Sequence, residues 1–512
     1  MTIDTPAWVR DAVFYQVFPD RLARSGRVEA PGELESWEAE PTTHGLKGGD
    51  LYGVVAHLDR LRRLGVNALY LNPVFASASN HRYHTDDYYR VDPLLGGNEA
   101  LRELLDEAHA RDMRVVLDGV FNHSGRGWWP FHHLLENGVD SPYRDWFHLS
   151  DEVRAGTRAI SAYPSEEQVA EISRRHAAGA PFGTVSREVL GYESWWDLPA
   201  LPKIRLEHPP AREHILDASE SWIRFGIDGW RLDVPEEVAA GFWREFRMRV
   251  RAANPEAYIV GEVWHHKPEW LRGDMFDAFM NYPLNRALLG FAAQDRLDPV
   301  VPLPVEYEGK IRAYDGAGLW AAIQELDAVN PPEVTAVQLN LLSSHDTPRF
   351  LTFCGGDLDA LRLAMLLQMT LPGAPCIYYG DEIGMAGSAD PDCRRAFPAD
   401  PGEWDHAPSE WVADLAGLRH SSRAFRDAEL SLLGTNGAAV AYLRRDGDEA
   451  FAVVANAGDE RLRWDVPLTL AAPEASVVPI RGGAAGERSA AIVDGALRIG
   501  LPGRDGMVVR LS

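Results

Sequence analysis

Four motifs in this chain end apolar, strand-like runs, and each puts a carboxylate at the C-terminal end of its run. Gly229-Trp-Arg-Leu-Asp-Val234 carries Asp233, Gly261-Glu-Val-Trp264 carries Glu262, Ser343-Ser-His-Asp346 carries Asp346, and Asp118-Gly-Val-Phe-Asn-His123 opens on Asp118. Carboxylates gathered at several strand ends suit glycosidic bond cleavage. That chemistry needs a nucleophile or base, an acid, and negative charge beside an oxocarbenium-like transition state.

Arg231 precedes Asp233 by two residues, so on a strand both side chains leave the same face. A guanidinium there keeps the carboxylate ionised and oriented, as a nucleophile requires. An isolated Arg-x-Asp is more often a structural ion pair. Glu262 follows Gly261 and stands two residues before Trp264; a partly apolar pocket would keep such a carboxyl protonated for general-acid work. Alone it reads equally well as a rim ion pair. His123 and His345 could bind a metal, but the chain has no His-x-His pair, and they better suit neutral donors to sugar hydroxyls. P-loop, G-x-G-x-x-G, H-E-x-x-H and G-x-S-x-G patterns are missing, which leaves nucleotide, zinc-protease and serine-esterase readings without residues.

These strand ends need a scaffold. Eight strand-like runs fall at 12–20, 68–75, 113–122, 227–234, 258–264, 276–284, 337–345 and 376–382, most of them continuously apolar. Helical periodicity at 54–64, 98–112, 211–225, 236–253 and 358–369 alternates with them. The pattern predicts an α/β fold, a (β/α)8 barrel, whose active site forms at the C-terminal strand ends. The Trp-, Pro- and Gly-rich stretch 123–200 is too long for a loop and is expected to be an inserted subdomain after strand 3. From 428 to 512, short alternating runs separated by Gly, Asp and Pro predict an antiparallel β-sandwich. The barrel then occupies 1–122 and 201–427.

A formal net charge of -25 argues against nucleic acid or an anionic membrane surface as partner. Cys354, Cys376 and Cys393 show no disulfide or metal-ligand spacing. The N-terminus has no basic region leading into an apolar stretch, so a cytoplasmic protein is expected.

Together these motifs resemble the α-amylase family of glycoside hydrolases. Further segments fit the same family: Gly49-Asp-Leu-Tyr-Gly-Val54, Leu201-Pro-Lys-Ile-Arg205 and Gly380-Asp-Glu-Ile-Gly384. Within it, Ser79-Asn-His-Arg-Tyr83, Asn340-Leu-Leu-Ser-Ser-His-Asp-Thr-Pro-Arg349 and Asp390-Pro-Asp-Cys-Arg-Arg395 resemble the neopullulanase, cyclomaltodextrinase and maltogenic amylase group. The resemblance implies Asp233 as nucleophile, Glu262 as acid/base and Asp346 as transition-state stabiliser. It implies Arg231, His123 and His345 as sugar contacts, with Tyr83 as a stacking platform. Asp390 and Arg394 would hold the next sugar on the non-reducing side, and Asp118 would be structural. Trp264 is a further candidate platform, as are Trp195 and Trp196, and Glu237 belongs to the acceptor side.

The chain departs from the group in three ways. The first strand starts near Ala12, where the group carries an N-terminal β-domain that helps form dimers, so a monomer or weak homo-oligomer is expected. Pro235 and Glu236 alter the acceptor side, and His84 replaces a more usual Asp. No cofactor is required for the chemistry. Family calcium sites use the Asn of the first motif, which makes Asn122 a candidate ligand of a structural calcium. The implied activity is retaining hydrolysis of α-1,4-linked malto-oligosaccharides, cyclodextrins or related α-glucans, with some α-1,6 cleavage or transglycosylation. The alternatives are a sucrose- or trehalose-converting transferase and a non-catalytic carbohydrate-binding barrel.

Overall fold

In the computed structural model, residues 3–512 are described except positions 427, 469, 471, 484 and 485. Position 427, the expected end of the barrel, therefore lies outside the described residues. Eight short parallel strands form the barrel: β1 (Phe14–Val17), β2 (Ala68–Leu71), β3 (Arg114–Gly119), β4 (Gly229–Leu232), β5 (Tyr258–Gly261), β6 (Ala278–Phe279), β7 (Leu339–Leu341) and β8 (Ala374–Tyr378). They pair in the order β6-β5-β4-β3-β2-β1-β8-β7. A parallel bridge between Met280 and Leu339 closes the ring. Seven of the eight are buried along their whole length, as strands covered on both faces must be; β3 exposes only its first residue, Arg114. Gly229 is required by this packing, because a Cβ there would meet the Tyr258 carbonyl oxygen at 2.3 Å.

The outer layer consists of α1 (Leu51–Arg63), α2 (Gly97–His109), α3 (Pro209–Phe225), α4 (Ala240–Ala253), α5 (Tyr282–Ala293), α6 (Gly316–Val329), α7 (Leu358–Thr370) and α8 (His406–Ser421). Several begin on Asp caps: the Asp50, Asp315, Asp357 and Asp405 carboxylates accept backbone N–H groups of the first turn.

The expected alternation of strands and helices fails at one place, and two element boundaries differ from those expected. Between β5 and β6 only a single 3-10 turn, Pro268–Trp270, intervenes. The run 276–284 yields two strand residues and then a helix, because the Asn281 side chain accepts from Leu284 N and Pro283 sits in the first turn. α4 starts at Ala240 rather than Glu236, since Pro235–Glu237 forms a separate turn after Val234 takes a left-handed conformation.

Between β3 and α3, the stretch expected as an insertion has its own helices, Trp129–Asn137 and Glu166–Ala177. It is tied to the following segment by bridges such as His123–Lys203 and Phe147–Ile204. The C-terminal strands form a five-stranded and a three-stranded antiparallel sheet. Their facing sides share one apolar core that includes Ala441, Val454, Val466, Leu497 and Val509.

Candidate active site

The cleft at the C-terminal strand ends encloses about 510 Å³. Its floor is organised around one fully buried cation, Arg231, on β4. Arg231 Nη1 donates to Asp118 Oδ1 at 2.8 Å, to Asp118 Oδ2 at 3.0 Å and to Asp233 Oδ1 at 3.0 Å. Its Nη2 lies 3.1 Å from Glu262 Oε2. The guanidinium thus bridges carboxylates from three adjacent strand ends. Asp118 also accepts from the Tyr70 and Tyr83 hydroxyls, each at 2.8 Å.

Immediately after Asp233 the backbone turns at Val234, with φ of 36°. A β-branched residue in that region is strained by about 1–3 kcal/mol. The turn delivers Val234 N–H to Glu262 Oε2 at 3.1 Å. With Oε2 engaged twice, Glu262 Oε1 is left to face the Trp264 indole, whose Nε1 donates to it at 3.3 Å. Trp264 is itself backed by Tyr282, ring on ring at 3.6 Å and 7°.

Asp346 stands on the other side. Arg394 Nη2 donates to its Oδ1 at 3.3 Å, and His345 Nε2 lies 3.1 Å from its Oδ2. Arg394 also pairs with Asp390 at 3.0 Å. Gln16 Nε2 donates to His345 Nδ1 at 2.9 Å, which leaves the ring proton on Nε2. The Tyr83 and His345 rings are parallel, 1° apart. His123 accepts from Asn122 Nδ2 through Nδ1 at 3.2 Å, and its buried Nε2 has no protein partner although His123 lines the cleft. Such a nitrogen suits donation to a substrate hydroxyl.

Burial sets the protonation of these groups. It drives His123 down to about 3, helped by His84, and holds His345 well below its ordinary value with Arg394 and Arg231 adding to the effect. Both rings are neutral. Burial pushes Asp233 up, with Glu262, Asp118 and Asp346 adding to it and Arg231 opposing it. Asp346 rises to about 7, chiefly through burial and then through Glu262, against the pull of Arg394 and Arg231. Burial and mutual repulsion thus raise Asp233 and Asp346 together, against the pull of Arg231 and Arg394.

The structure brings together Tyr83, His123, Asp233, Glu237, Glu262, Trp264, Asp346, Asp390 and Arg394 on the cleft wall. Arg231 and His345 lie directly beneath. Four contributors were not legible in the sequence. Gln16 and Tyr70 look like ordinary strand interior, Asn72 just follows β2, and Glu306 reaches the cleft from the long segment between α5 and α6.

Asn122, the candidate calcium ligand, is buried beside the cleft floor. Its backbone carbonyl accepts from Ile204 N, and its amide is turned to His123. Among the described residues, no group of three or more His, Cys, Asp or Glu could hold a metal. In the N-terminal loop the cation is Lys47: its fully buried Nζ donates to the carbonyls of Ser36 at 2.5 Å and Ala39 at 2.7 Å and lies 3.4 Å from Glu35 Oε2.

The family profile described as alpha amylase, catalytic domain, matches residues 16–431. The chain belongs to the α-amylase family of glycoside hydrolases. It is 42% identical over 455 residues to a cyclomaltodextrinase of a Bacillus species, across 88% of this chain and 73% of that protein. It is 41% identical over 421 residues to neopullulanase 2 of Thermoactinomyces vulgaris, across 81% of this chain and 64% of that one. Among solved structures, a debranching enzyme of Nostoc punctiforme superposes with a TM-score of 0.85 at 41% identity, covering 100% of both chains.

Proposed function

We propose that this enzyme is a retaining α-glucan hydrolase acting on α-1,4-glucosidic bonds of malto-oligosaccharides, cyclodextrins or related glucans. The observation that carries this reading is the bridging of Asp233 and Glu262 by the two ends of one buried guanidinium. Carboxyls on adjacent nitrogens of one guanidinium suit the retaining separation of about 5–5.5 Å better than the about 6.5–9.5 Å of an inverting pair.

In this mechanism Arg231 holds Asp233 with one oxygen bound and the other available to attack the anomeric carbon. Glu262 protonates the leaving glycosidic oxygen from Oε1, the oxygen not engaged by Val234 and Arg231. A glycosyl ester forms on Asp233. Glu262, now ionised, then takes a proton from water, which attacks the same carbon and releases the sugar with its configuration retained. Asp346 supplies negative charge to the oxocarbenium-like transition state. His123 donates to a hydroxyl of the sugar being cleaved, His345 positions the Tyr83 hydroxyl and Asp346 through its Nε2, Tyr83 and Trp264 pack against the sugar ring and the next, and Asp390 with Arg394 takes a neighbouring sugar. Glu237, paired with Lys203 at 3.0 Å, faces the acceptor side.

Similarity to a neopullulanase and to a debranching enzyme supports α-1,6 cleavage as a second activity. Transglycosylation is the same ester opened by a sugar hydroxyl in place of water. No helix among the described residues is long and apolar enough to cross a membrane. Three buried free cysteines agree with a reducing cytoplasm. We place the enzyme there as a monomer or weak oligomer with an oligosaccharide as its partner. Product analysis on maltotriose, β-cyclodextrin, pullulan and sucrose tests the reading. Glucose and maltose from the first two are expected. Turnover of sucrose alone, with glucosyl transfer, would replace the hydrolase with a transferase.

A further inference from the structure

Beneath the cleft, one buried amide sets where the protons of the floor sit. Gln16 lies on β1 and is fully buried. Its Nε2 directs one proton to His345 Nδ1 at 2.9 Å and the other to Asn72 Oδ1 at 3.1 Å. Asn72 in turn donates from Nδ2 to the Tyr83 hydroxyl oxygen at 3.1 Å. That hydroxyl has a single proton and gives it to Asp118 Oδ2 at 2.8 Å. Toward His345 Nε2 it can therefore only accept, and the same Nε2 faces Asp346 Oδ2 at 3.1 Å. Burial keeps the His345 ring neutral, so there is one ring proton to place.

The opposite arrangement fails at each link. With its proton on Nδ1, His345 would turn a bare lone pair toward the Asp346 carboxylate, and Gln16 would have to present its oxygen to the ring. Rotating the Gln16 amide sets that oxygen against Asn72 Oδ1. Rotating Asn72 as well sets the Asn72 oxygen against the Tyr83 hydroxyl, whose proton Asp118 holds. Gln16 Oε1 is buried with no partner among the described residues, so a rotated Nε2 would find no acceptor there. Nor can the ring swing away freely, because the His345 carbonyl accepts from Arg394 Nε at 2.8 Å and from Cys393 Sγ at 3.3 Å.

We infer that Gln16, backed by Asn72, is a positioning residue for the reaction: it locks His345 in the Nε2–H tautomer, so that the one ring proton points at Asp346 and the Tyr83 hydroxyl. A donor on Asp346 favours its ionised form, the form that stabilises an oxocarbenium-like transition state; a lone pair in the same place disfavours it. The catalytic consequence rests on the function proposed above. Asp346 also interacts with Arg394 and Asp390, with Arg231, Asp233 and Glu262, and with the neutral Tyr70, Tyr83, Tyr282 and Cys393. None of these is altered by a substitution at Gln16, so a change in the ionisation of Asp346 there reports the His345 proton.

The test reads the tautomer and the rate separately. Nitrogen-15 NMR of histidine-labelled enzyme at neutral pH, with His345→Gln to identify the signals, shows which ring nitrogen carries the proton. Wild type is expected to show Nε2–H alone, and Gln16→Leu a mixture of both tautomers. On maltotriose, Gln16→Leu is expected to lower kcat by about tenfold with KM within about twofold, the loss of one orienting hydrogen bond. The acid limb of its pH profile should move to higher pH. An Nδ1–H tautomer in wild type overturns the lock, and this reading needs no variant to fold. So does a folded Gln16→Leu whose kcat falls while tautomer and acid limb stay as in wild type, since Gln16 would then be structural only. A wild type that shows Nε2–H but cleaves no α-glucan overturns the proposed function and leaves the proton lock standing.

Discussion

The floor of the cleft and its rim are built by opposite rules. At the floor, Arg231 is fully buried and binds three carboxylates; Asp118 is fixed again by two tyrosines and Glu262 by a backbone N–H and an indole, while Asp233 is held by Arg231 through Oδ1. At the rim, Glu236 pairs with Lys267 and His265, and Glu237 with Lys203, all in contact with solvent. A floor preorganised in this way meets the developing charge without reorganising. A rim of solvated pairs contributes little to stability and can change without unfolding the barrel. Chemistry is thus separated from substrate choice.

Breaking the floor should have the largest effect. Asp233→Asn and Glu262→Gln should each lower kcat by at least about 10³-fold on maltotriose, with far-UV dichroism and unfolding temperature preserved. Arg231→Met should cost about 3–5 kcal/mol in denaturant unfolding, because it leaves Asp118 buried without its cation, and activity should vanish with it. If Arg231→Met unfolds like wild type, the floor is not held as described.

The pH response sharpens the same contrast. Asp346 keeps its proton in the folded enzyme up to about pH 7, while an unfolded Asp releases it near about 4. The folded state binds the extra proton between those limits, so this group's contribution to stability is present at the acid end and is lost as pH rises through about 7. Asp346→Asn should therefore raise stability at pH 8 more than at pH 4. Activity in the wild type should rise toward pH 7 as Asp346 ionises. An equal effect of the substitution at both pH values would contradict the burial-driven shift.

Smaller effects belong to the rim and the outer loop. Lys267→Ala should change unfolding free energy by less than about 1 kcal/mol and act mainly on KM. Dialysis against a chelator should leave the unfolding temperature unchanged, because Lys47 supplies the N-terminal loop's cation. Lys47→Met should lower it.

The sequence made the floor legible because its residues are local. Arg231 and Asp233 are two apart on one strand, and Glu262 and Trp264 are two apart after another. Residues that reach the site across the fold were not legible: Glu306 carries no strand-end pattern, and Gln16 and Tyr70 read as core until the barrel closes around them. The short β6 was misread because the apolar run 276–284 continues into a helix, and its Asn281 and Pro283 start signals were outweighed by hydrophobicity.

The central claim is that Asp233 and Glu262, held on one guanidinium, work as a retaining pair. Proton NMR of the first seconds of maltotriose hydrolysis tests it most directly, by following the anomeric signals before mutarotation. The account predicts that the α-anomer appears first and the β-anomer grows in later. An initial β-anomer would contradict it.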